Sequence, residues 1–322
     1  MIISRTPFRV SFAGGGTDIY DYYKNGYGAV VSTTINKYLY ITVNKRFDDD
    51  IRVSYSKTEI VGNVDDLQHE LCKECLKTVG ITKGIEITSI SDIPSGTGLG
   101  SSSVYTVGLL NALYSYIGEQ KSAKELAKIA CNVEIDKLNH PIGKQDQYAV
   151  AFGGLNYFKF NNDETVDQEK IKLSFSDLKK INNKLMLFYT GIDRNANKIL
   201  EDQKVKLPNK IEILNDIRDL ADKLKGDLQN NGFNDSFGNI LHKGWKRKKV
   251  ISDKISNDNI DSLYNSALDA GALGGKLLGA GGGGFILLYC NEDQQDSVRK
   301  ILRLKEIDFN LTEYGSRIVY GD

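Results

Sequence analysis

The stretch DIPSGTGLGSSSVYTVGLLNAL, residues 92–113, places three alternating glycines and three serines directly before an apolar segment. Glycines let the backbone adopt unusual conformations, so several main-chain N–H groups can point toward one ligand. The apolar segment predicts a helix, and the first N–H groups of a helix favour an anion. Two interpretations follow: a backbone cradle for phosphate, or a plain turn before a serine-capped helix.

Two common phosphate-binding patterns do not match this stretch. A P-loop ends in Gly-Lys-Ser/Thr, whereas this stretch ends in Gly100-Ser101-Ser102. A dinucleotide fingerprint needs a different glycine spacing and a later ribose-binding acid, and neither is present. A nicotinamide-dependent oxidoreductase is therefore an alternative that lacks its required spacing.

Composition restricts the class of protein. The 322 residues carry 42 basic and 42 acidic side chains, and this zero balance argues against a nucleic-acid partner held by bulk charge. No apolar run approaches the roughly 18 residues of a membrane span, and the first residues do not resemble a signal peptide. We expect a cytoplasmic protein without a membrane partner, a monomer or homodimer, with about two domains.

The cysteines offer a weak metal or redox alternative. HELCKEC places His69, Cys72 and Cys75 at a spacing compatible with zinc, but no second pair exists. The same spacing fits one face of a helix, and we expect reduced thiols.

The chain is predicted to form mixed strands and helices. Alternation predicts a strand over residues 5–12, and residues 28–46 predict two β segments hinged near Asn36–Lys37. A polar stretch at 161–182 suggests a boundary near 165, giving domains 1–165 and 166–322. Both halves predict an α+β fold.

Helix signals occur in both halves. The helix after Ser103 has a predicted apolar stripe at Val104, Val107, Leu110, Leu113 and Ile117. A second helix begins at Ser122, which forms a capping box with Glu125. Later helical patterns cover residues 195–226, 233–250 and 259–273. A buried strand is then predicted at 285–290 and a helix at 293–305. Two short strands are predicted to follow them.

Two further glycine-rich segments support the cradle. FAGGGTDIYDYY, residues 12–23, ends the first strand, and GALGGKLLGAGGGGFILLY, residues 271–289, precedes a buried strand. The last segment either packs tightly or closes on the first loop from the other domain.

Together TPFRVSFAGGGTD, PSGTGLGSSS and LLGAGGGGF resemble the three motifs of the GHMP kinases, in order and over nearly the whole chain. Within that family, residues 12–23, 143–158 and 241–249 are most similar to the branch that phosphorylates heptose phosphates, and the fucokinase domain has a similar version. The resemblance implies a domain like ribosomal S5, then a ferredoxin-like domain, with ATP between them.

The resemblance also implies roles for individual residues. Asp146 would take or hold the proton of the acceptor hydroxyl, beside Arg9, with Lys144 sharing the neutralisation of charge. Glu134 and Ser102, rather than Ser101, would bind Mg²⁺. The segment that grips the ATP phosphates would be Pro94, Gly96, Gly98, Leu99, Gly100, Ser101, Ser102 and Ser103.

The implied acceptor is a small sugar phosphate. Asp18, with Gly15, Gly16 and Thr17, matches the sugar-binding loop, but galactokinases carry glutamate and histidine where Gly15 and Gly16 stand. This departure argues against galactose. A substrate phosphate needs cations, and Arg194 at a predicted helix start is the leading candidate. Further predicted contacts and cations are Gly281, Gly282, Lys198, Lys243, Lys246 and Arg247.

Two alternatives remain within the resemblance. A free-sugar 1-kinase, such as an L-fucose kinase, would not need Arg194. A non-catalytic ligand-sensing relative would keep the fold without activity, although the acids Glu134 and Asp146 speak against it. Trp245 is interpreted as a core residue, with sugar stacking as the other possibility.

Overall fold

The strands and helices confirm the α+β class. The structure, a computed structural model, describes residues 1–192 and 196–321. The strands in these residues are β1 (Ile2–Ala13), β2 (Tyr27–Lys45), β3 (Ile51–Ser54), β4 (Thr58–Val61), β5 (Ile85–Ser91), β6 (Asn156–Asn161), β7 (Val166–Lys170), β8 (Leu185–Tyr189), β9 (Ala272–Leu277), β10 (Phe285–Cys290), β11 (Lys305–Glu306), β12 (Leu311–Thr312) and β13 (Arg317–Gly321).

Helices cover and connect the strands. They are α1 (Tyr20–Tyr23), α2 (Glu70–Val79), α3 (Ser101–Tyr116), α4 (Ala123–Cys131), α5 (Gln145–Phe152), α6 (Phe175–Lys184), α7 (Ala196–Lys206), α8 (Ile211–Asn230), α9 (Ser236–Lys249), α10 (Asp258–Asp269) and α11 (Gln295–Leu302). A π-helix, Asn132–Lys137, continues α4, and short 3₁₀ turns lie at Val64–Asp66, Leu207–Lys210 and Glu292–Gln294. No helix of the described residues is long and apolar enough to cross a membrane.

The larger sheet carries the first part of the chain. In the described residues it has nine strands, with β13, β1, β2, β5, β3 and β4 as neighbours in that order, while β6 and β12 pair with β2 and β7 pairs with β6. The smaller sheet has four strands in the order β11, β8, β10, β9. Helix α3 packs on β1 and β2, whereas α9 packs on β9.

Strand β2 differs from the sequence prediction. The predicted hinge near Asn36–Lys37 is wrong, because residues 27–45 form one strand. The register with β1 does shift here, between the pairs Pro7↔Tyr38 and Arg9↔Thr34. A bulge of this kind absorbs the irregularity without ending the strand, since it inserts extra residues and bends the chain locally.

The predicted division at residue 165 remains a prediction, but the larger sheet extends beyond it. Strand β7 pairs with β6 along residues 166–170. Residues 311–321 then return to the same sheet, where Leu311 pairs with Ile35 and Gly321 pairs with Ile2. The chain closes with three short strands, β11 to β13, rather than the two predicted.

The helix signals were correct in part. Ser122 and Glu125 form the predicted capping box at the start of α4. Four residues of the predicted stripe on α3, from Val104 to Leu113, are buried as expected. The burial is not confined to a stripe, because residues from Ser103 to Leu113 are buried on almost all sides, and Ile117 lies beyond the helix end. A helix surrounded by protein has no polar face to create an amphipathic period. The last helical pattern overran its helix, since residue 272 already begins β9.

Candidate active site

The first glycine loop, residues 94–100, connects β5 to α3. Gly96, Gly98 and Gly100 all have positive φ, at 76°, 93° and 81°. Gly100 is the residue before the first turn of α3, and no side chain caps the amides of that turn. The buried Ser101 hydroxyl also has no partner in the described residues. These unpaired donors at a helix start are suited to an anion.

Not every residue of this loop that was predicted to contact phosphate is exposed to solvent. Pro94 and Gly96 are exposed, but Leu99 is fully buried and its carbonyl accepts a hydrogen bond from the Arg9 amide at 3.3 Å. Thr97 donates its hydroxyl to the Pro94 carbonyl at 2.9 Å, which closes the turn. Leu99 therefore anchors the loop to β1.

Arg9 and Asp146 form a bidentate ion pair beside this loop. The Nε and Nη2 atoms of Arg9 donate to the two carboxylate oxygens of Asp146, each at 2.7 Å. The third nitrogen, Nη1, donates to the Gly98 carbonyl at 2.8 Å. The Arg9 side chain is 4% exposed, whereas that of Asp146 is 22% exposed. A carboxylate held in place in this way, yet open to solvent, can accept a proton from a bound hydroxyl.

The helix α5 places Asp146. The sequence suggested a polar segment, but Asp146 lies in the first turn of α5. A methyl group on Gly100 would lie 3.1 Å from Asp146 Oδ2, so the glycine allows the carboxylate to approach the helix start of α3. The two helix N-termini and the ion pair thus converge.

Glu134 lies in the π-helix and reaches the same helix start. It is fully buried; it accepts a short hydrogen bond from the Ser102 hydroxyl and another from Gln147 Nε2 at 2.7 Å. Burial raises the pKa of this carboxyl, and the hydrogen bonds from Ser102, Ser103 and Gln147 oppose the rise. The extra residue of a π-turn redirects side chains, a feature frequent at functional sites.

The predicted metal pair is therefore brought together. Ser102 and Glu134 supply a hydroxyl and a carboxylate oxygen, which are ligands that Mg²⁺ accepts. In residues 1–192 and 196–321 no group of three His, Cys, Asp or Glu side chains could hold a metal. Mg²⁺ is usually held through one or two carboxylates together with waters and substrate phosphates.

The predicted acceptor loop, residues 14–18, is tightly folded. Asp18 is 2% exposed, and its oxygens accept from the amides of Gly16 at 3.0 Å and Gln145 at 3.1 Å. Burial raises the pKa of Asp18, the amides lower it, and the charge of Asp146 raises it further. The Thr17 hydroxyl donates to the Gly14 carbonyl at 2.8 Å. Asp18 and Thr17 thus shape the loop from inside.

Two polar side chains beside this loop were missed by the sequence reasoning. A methyl group on Gly15 would lie 3.5 Å from Ser11 Oγ and 3.6 Å from Gln145 Nε2. Ser11 Oγ and Gln145 Oε1 are both buried and without a partner in the described residues. Ser11 lies on the same strand face as Arg9, and that alternation was the available signal.

The second glycine loop, residues 279–284, lies against the first. A methyl group on Gly284 would lie 2.2 Å from the Thr97 carbonyl oxygen, so the two backbones touch. Lys248 and Gln203 donate to the carbonyls of Gly279 and Ala280, at 2.5 and 2.7 Å. This packing supports the interpretation that one loop closes on the other.

The second loop's predicted substrate contacts remain predictions. The amide of Gly282 donates to the Ile255 carbonyl at 2.8 Å and is therefore occupied within the protein. Gly281 packs on the same residue, because a methyl group there would lie 2.7 Å from Ile255 Cα.

Lys144 is not part of the Arg9–Asp146 pair. Its ammonium donates to Glu164 at 2.9 Å and lies 5.4 Å from the centre of the Tyr23 ring. It lines a cavity of about 520 Å³ with Asp18 and Glu164, and neither Arg9 nor Asp146 lines that cavity. Arg194 lies outside the described residues, so its predicted phosphate contact also remains a prediction.

The remaining candidates differ in their burial, and a phosphate contact of the basic residues among them remains a prediction. Trp245 is 1% exposed, as expected of a core residue, while Lys243, Lys246 and Arg247 are exposed on α9. Burial raises the pKa of the Cys72 thiol to about 12, and His69 accepts from the Cys72 amide at the start of α2. In the part of the chain that the structure describes, His69 therefore caps α2, while Cys72 and Cys75 are buried in the core.

Lys276 is a third residue that the sequence reasoning missed. It lies on β9 directly before the third motif, is 6% exposed, and donates to the Phe12 carbonyl on β1 at 3.3 Å. Burial lowers the pKa of its ammonium, and the cations Lys248 and Arg9 lower it further. Lysine next to a glycine run gave no signal, because its burial depends on how the two sheets meet.

Comparison with known proteins places the chain in a family. Residues 66–154 match the GHMP kinases N terminal domain and residues 224–306 match the GHMP kinases C terminal domain. The chain is 33% identical to a D-glycero-alpha-D-manno-heptose 7-phosphate kinase of Campylobacter jejuni, over 98% of this chain and 97% of that protein. It belongs to the GHMP kinase family and is a kinase, that is, a phosphotransferase.

Two further relatives cover the chain end to end. A solved D-glycero-D-manno-heptose 1-phosphate kinase from Bacteroides thetaiotaomicron superposes with a TM-score of 0.81, at 25% identity over 100% of both chains. The L-fucokinase/L-fucose-1-P guanylyltransferase of Bacteroides fragilis is 24% identical over 99% of this chain and 38% of its own length. These relatives are sugar kinases. Family membership contradicts the oxidoreductase alternative, and the similarity to sugar kinases over the whole chain argues against the non-catalytic one.

Proposed function

We propose that the protein transfers the γ-phosphate of ATP to the anomeric C1 hydroxyl of D-glycero-D-manno-heptose 7-phosphate, giving the 1,7-bisphosphate. The observation that carries this proposal is the bidentate Arg9–Asp146 pair at the first glycine loop, with both oxygens of Asp146 at 2.7 Å. The relatives named for heptose phosphate kinases support the choice of sugar. The product would supply a reaction that attaches a nucleotide to the C1 phosphate.

The chain's own residues would carry the transfer as follows. Amides of the first glycine loop and of the first turn of α3 hold the phosphates of ATP. Asp146 accepts or orients the proton of the C1 hydroxyl while Arg9 holds both carboxylate oxygens in position. The C1 oxygen bonds to the γ-phosphorus, the bond from that phosphorus to the bridging oxygen breaks, and ADP leaves.

Ser102 and Glu134 would hold Mg²⁺. When bound, the ion neutralises charge on the phosphate oxygens of the nucleotide. The buried Glu134 carboxylate fits this role, because its three hydrogen-bonding partners are neutral and a cation would compensate its charge. The hydroxyl of Ser102 already faces the carboxylate, so the two oxygens are positioned together.

The acceptor loop supports a large sugar. Gly15 and Gly16 leave open the space that glutamate and histidine side chains occupy in galactokinases. The unpartnered Ser11 hydroxyl and Gln145 carbonyl oxygen beside Gly15 offer hydrogen bonds to sugar hydroxyls. Such groups reject an acceptor that cannot pair with them, because a buried polar atom without a partner is costly.

A sugar panel in an ADP-release assay tests the substrate. We expect turnover with D-glycero-D-manno-heptose 7-phosphate and little with unphosphorylated heptose, galactose or mannose, because a phosphate contact contributes to transition-state binding. Phosphorus NMR should show the new phosphate on C1. Turnover with free sugars but not with the 7-phosphate would refute the proposed acceptor.

The Asp146→Asn variant tests the catalytic site. We expect kcat to fall by about a thousandfold or more while ADP affinity, measured by calorimetry, stays within about threefold of wild type. Asp293→Asn, an exposed surface change in the other half of the chain, is the matched control. Near-normal turnover of Asp146→Asn would remove Asp146 from the mechanism.

A free-sugar kinase is the second candidate. It is favoured by the likeness to the L-fucokinase of Bacteroides fragilis over 99% of this chain. L-Fucose therefore belongs in the sugar panel, and a kcat/KM for L-fucose above that for heptose 7-phosphate would favour this candidate.

A further inference from the structure

The Lys276 ammonium lies between the two sheets, with no countercharge beside it in residues 1–192 and 196–321. It reaches from β9 to the Phe12 carbonyl at 3.3 Å, a long and weak hydrogen bond. No carboxylate of the described residues lies within 4.0 Å of this ammonium. A buried ammonium is costly unless an anion accompanies it, and an apolar side chain of similar volume would fill the space at lower cost.

The charged neighbours of Lys276 increase that cost. Arg9 on β1 and Lys248 on α9 are the charged groups that act on it, and both are cations. Asp146 is already paired with Arg9 through both oxygens. The Lys276 ammonium therefore lies near further positive charge, and a phosphate dianion would compensate it.

Lys276 also lies where the substrates must meet. Strand β9 leads into the second glycine loop, whose Gly284 touches Thr97 of the first glycine loop. On the other side, Phe12 leads into the acceptor loop at residues 14–18. The ammonium thus lies between the loop suited to nucleotide phosphates and the loop predicted to hold the sugar.

We propose that Lys276 binds a phosphate group in this cleft, either the phosphate ester of the acceptor or the phosphoryl group in transfer. The acceptor source rests on the proposed function, whereas the phosphate site itself does not. A phosphate oxygen would accept a charge-assisted hydrogen bond from the ammonium, which can keep its contact with the Phe12 carbonyl through a second N–H.

The test compares Lys276→Met with wild type, because methionine keeps the length of the side chain and removes its charge. Binding of D-glycero-D-manno-heptose 7-phosphate and of the same heptose without phosphate is measured by calorimetry in saturating MgADP, and kcat is measured for both sugars. Lys300→Met, at an exposed position of α11, is the matched control. Thermal unfolding reports on the fold.

The outcomes separate the two sources. A Kd for the 7-phosphate raised about 10- to 100-fold, with the free sugar unchanged, assigns Lys276 to the acceptor phosphate. A similar fall in kcat for both sugars with unchanged Kd assigns it to the transferred phosphoryl group. No change in either quantity, or an equal rise in both Kd values with a lower unfolding temperature, overturns the proposal and leaves a structural hydrogen bond.

A wild-type protein that does not bind heptose 7-phosphate would refute the proposed acceptor but not this site. Inorganic phosphate is then the probe, titrated in saturating MgADP. We expect its Kd to rise at least tenfold in Lys276→Met and to stay unchanged in Lys300→Met. Equal phosphate affinity in wild type and Lys276→Met would overturn the phosphate site.

Discussion

The two glycine loops look alike in sequence, yet their glycines satisfy different physical needs. In the first loop Gly96 has a φ of 76°, and a methyl group on it would meet no atom of the described residues within 4 Å. In the second loop a methyl group on Gly283 would lie 2.4 Å from the Ile192 carbonyl oxygen, and one on Gly284 would lie 2.2 Å from the Thr97 carbonyl oxygen. One loop needs conformational freedom beside open space, and the other needs the absence of side chains between packed backbones.

The largest expected effect is that of Gly284→Ala. The added methyl group would collide with the Thr97 backbone at a residue whose φ is 96°. We expect the free energy of unfolding to fall by roughly 3 kcal/mol and ADP affinity to fall about a hundredfold, because the two loops must separate. Chemical denaturation and calorimetry measure these changes.

Gly226→Ala is the control for that substitution. Gly226 lies within α8, and a methyl group there would meet nothing within 4 Å. We expect a gain of about 0.5–1 kcal/mol, since alanine favours a helix over glycine. Equal stability of the two variants would contradict the tight packing of the second loop.

The next largest effect is expected at Glu134, the buried carboxylate that contacts Ser102 beside the first glycine loop. The second loop has no corresponding requirement for charge. Glu134→Gln should lower kcat about a hundredfold in Mg²⁺, because the amide is a poor metal ligand. Without metal and nucleotide, the same variant should unfold at a higher temperature than wild type. Gln147, whose Oε1 has no partner in the described residues, can turn its amide to accept from the new NH₂ group.

The gain in stability expected for Glu134→Gln should depend on pH in a defined direction. Burial raises the pKa of Glu134 above the 4.5 of a free carboxyl. Its contribution to stability is therefore present below pH 4.5 and is lost as pH rises through the pKa of the folded state. The advantage of Glu134→Gln should grow from pH 4.5 to pH 8 in thermal unfolding. The exposed Glu201→Gln is the control, and a constant difference would contradict the burial cost.

Gly100→Ala tests whether displacing the Arg9–Asp146 pair lowers kcat beyond the effect of backbone strain on stability. The methyl group would lie 3.1 Å from Asp146 Oδ2 and 3.4 Å from Arg9 Cγ, at a φ of 81°. We expect kcat to fall by about 10- to 100-fold, because the ion pair must move, and stability to fall by about 1 kcal/mol. Gly80→Ala has a φ of 82° and open space, so it should match the stability loss with unchanged kcat. A normal kcat in Gly100→Ala would place the reaction elsewhere.

The smallest effect is expected for Gly96→Ala. Only the backbone conformation opposes the methyl group, so about 1 kcal/mol of strain should raise the Kd for ADP roughly two- to fivefold. Gly118→Ala, with a φ of 81° and open space away from the loop, should leave ADP affinity unchanged. A loss in Gly96→Ala as large as that in Gly284→Ala would erase the distinction between the loops.

The sequence predicted the features that depend on local chemistry. The capping box at Ser122, the first glycine loop and the strands flanking it follow from residue type and spacing over a few positions. The resemblance brought Arg9, Asp146, Ser102 and Glu134 forward, and the structure places these four side chains in two contacting pairs.

The features that sequence reasoning missed depend on packing between distant segments. Nothing in the local sequence marks Lys276 as a residue that reaches β1. Lys144, adjacent to α5 in sequence, contacts Glu164 instead of Asp146. The π-turn around Glu134 was hidden within an ordinary helical pattern, since a single inserted residue barely disturbs the apolar period.

The return of residues 311–321 to the larger sheet has a consequence for synthesis. Ser316 contacts Thr6 and Asn111 through its hydroxyl, and its amide donates to the Val150 carbonyl at 2.9 Å. A growing polypeptide emerges from the ribosome in order, so Thr6 waits for a partner until about three hundred later residues have been translated. The larger sheet therefore cannot be completed until the last strand has been translated. Chaperones would meet the chain before residues 311–321 have paired with that sheet.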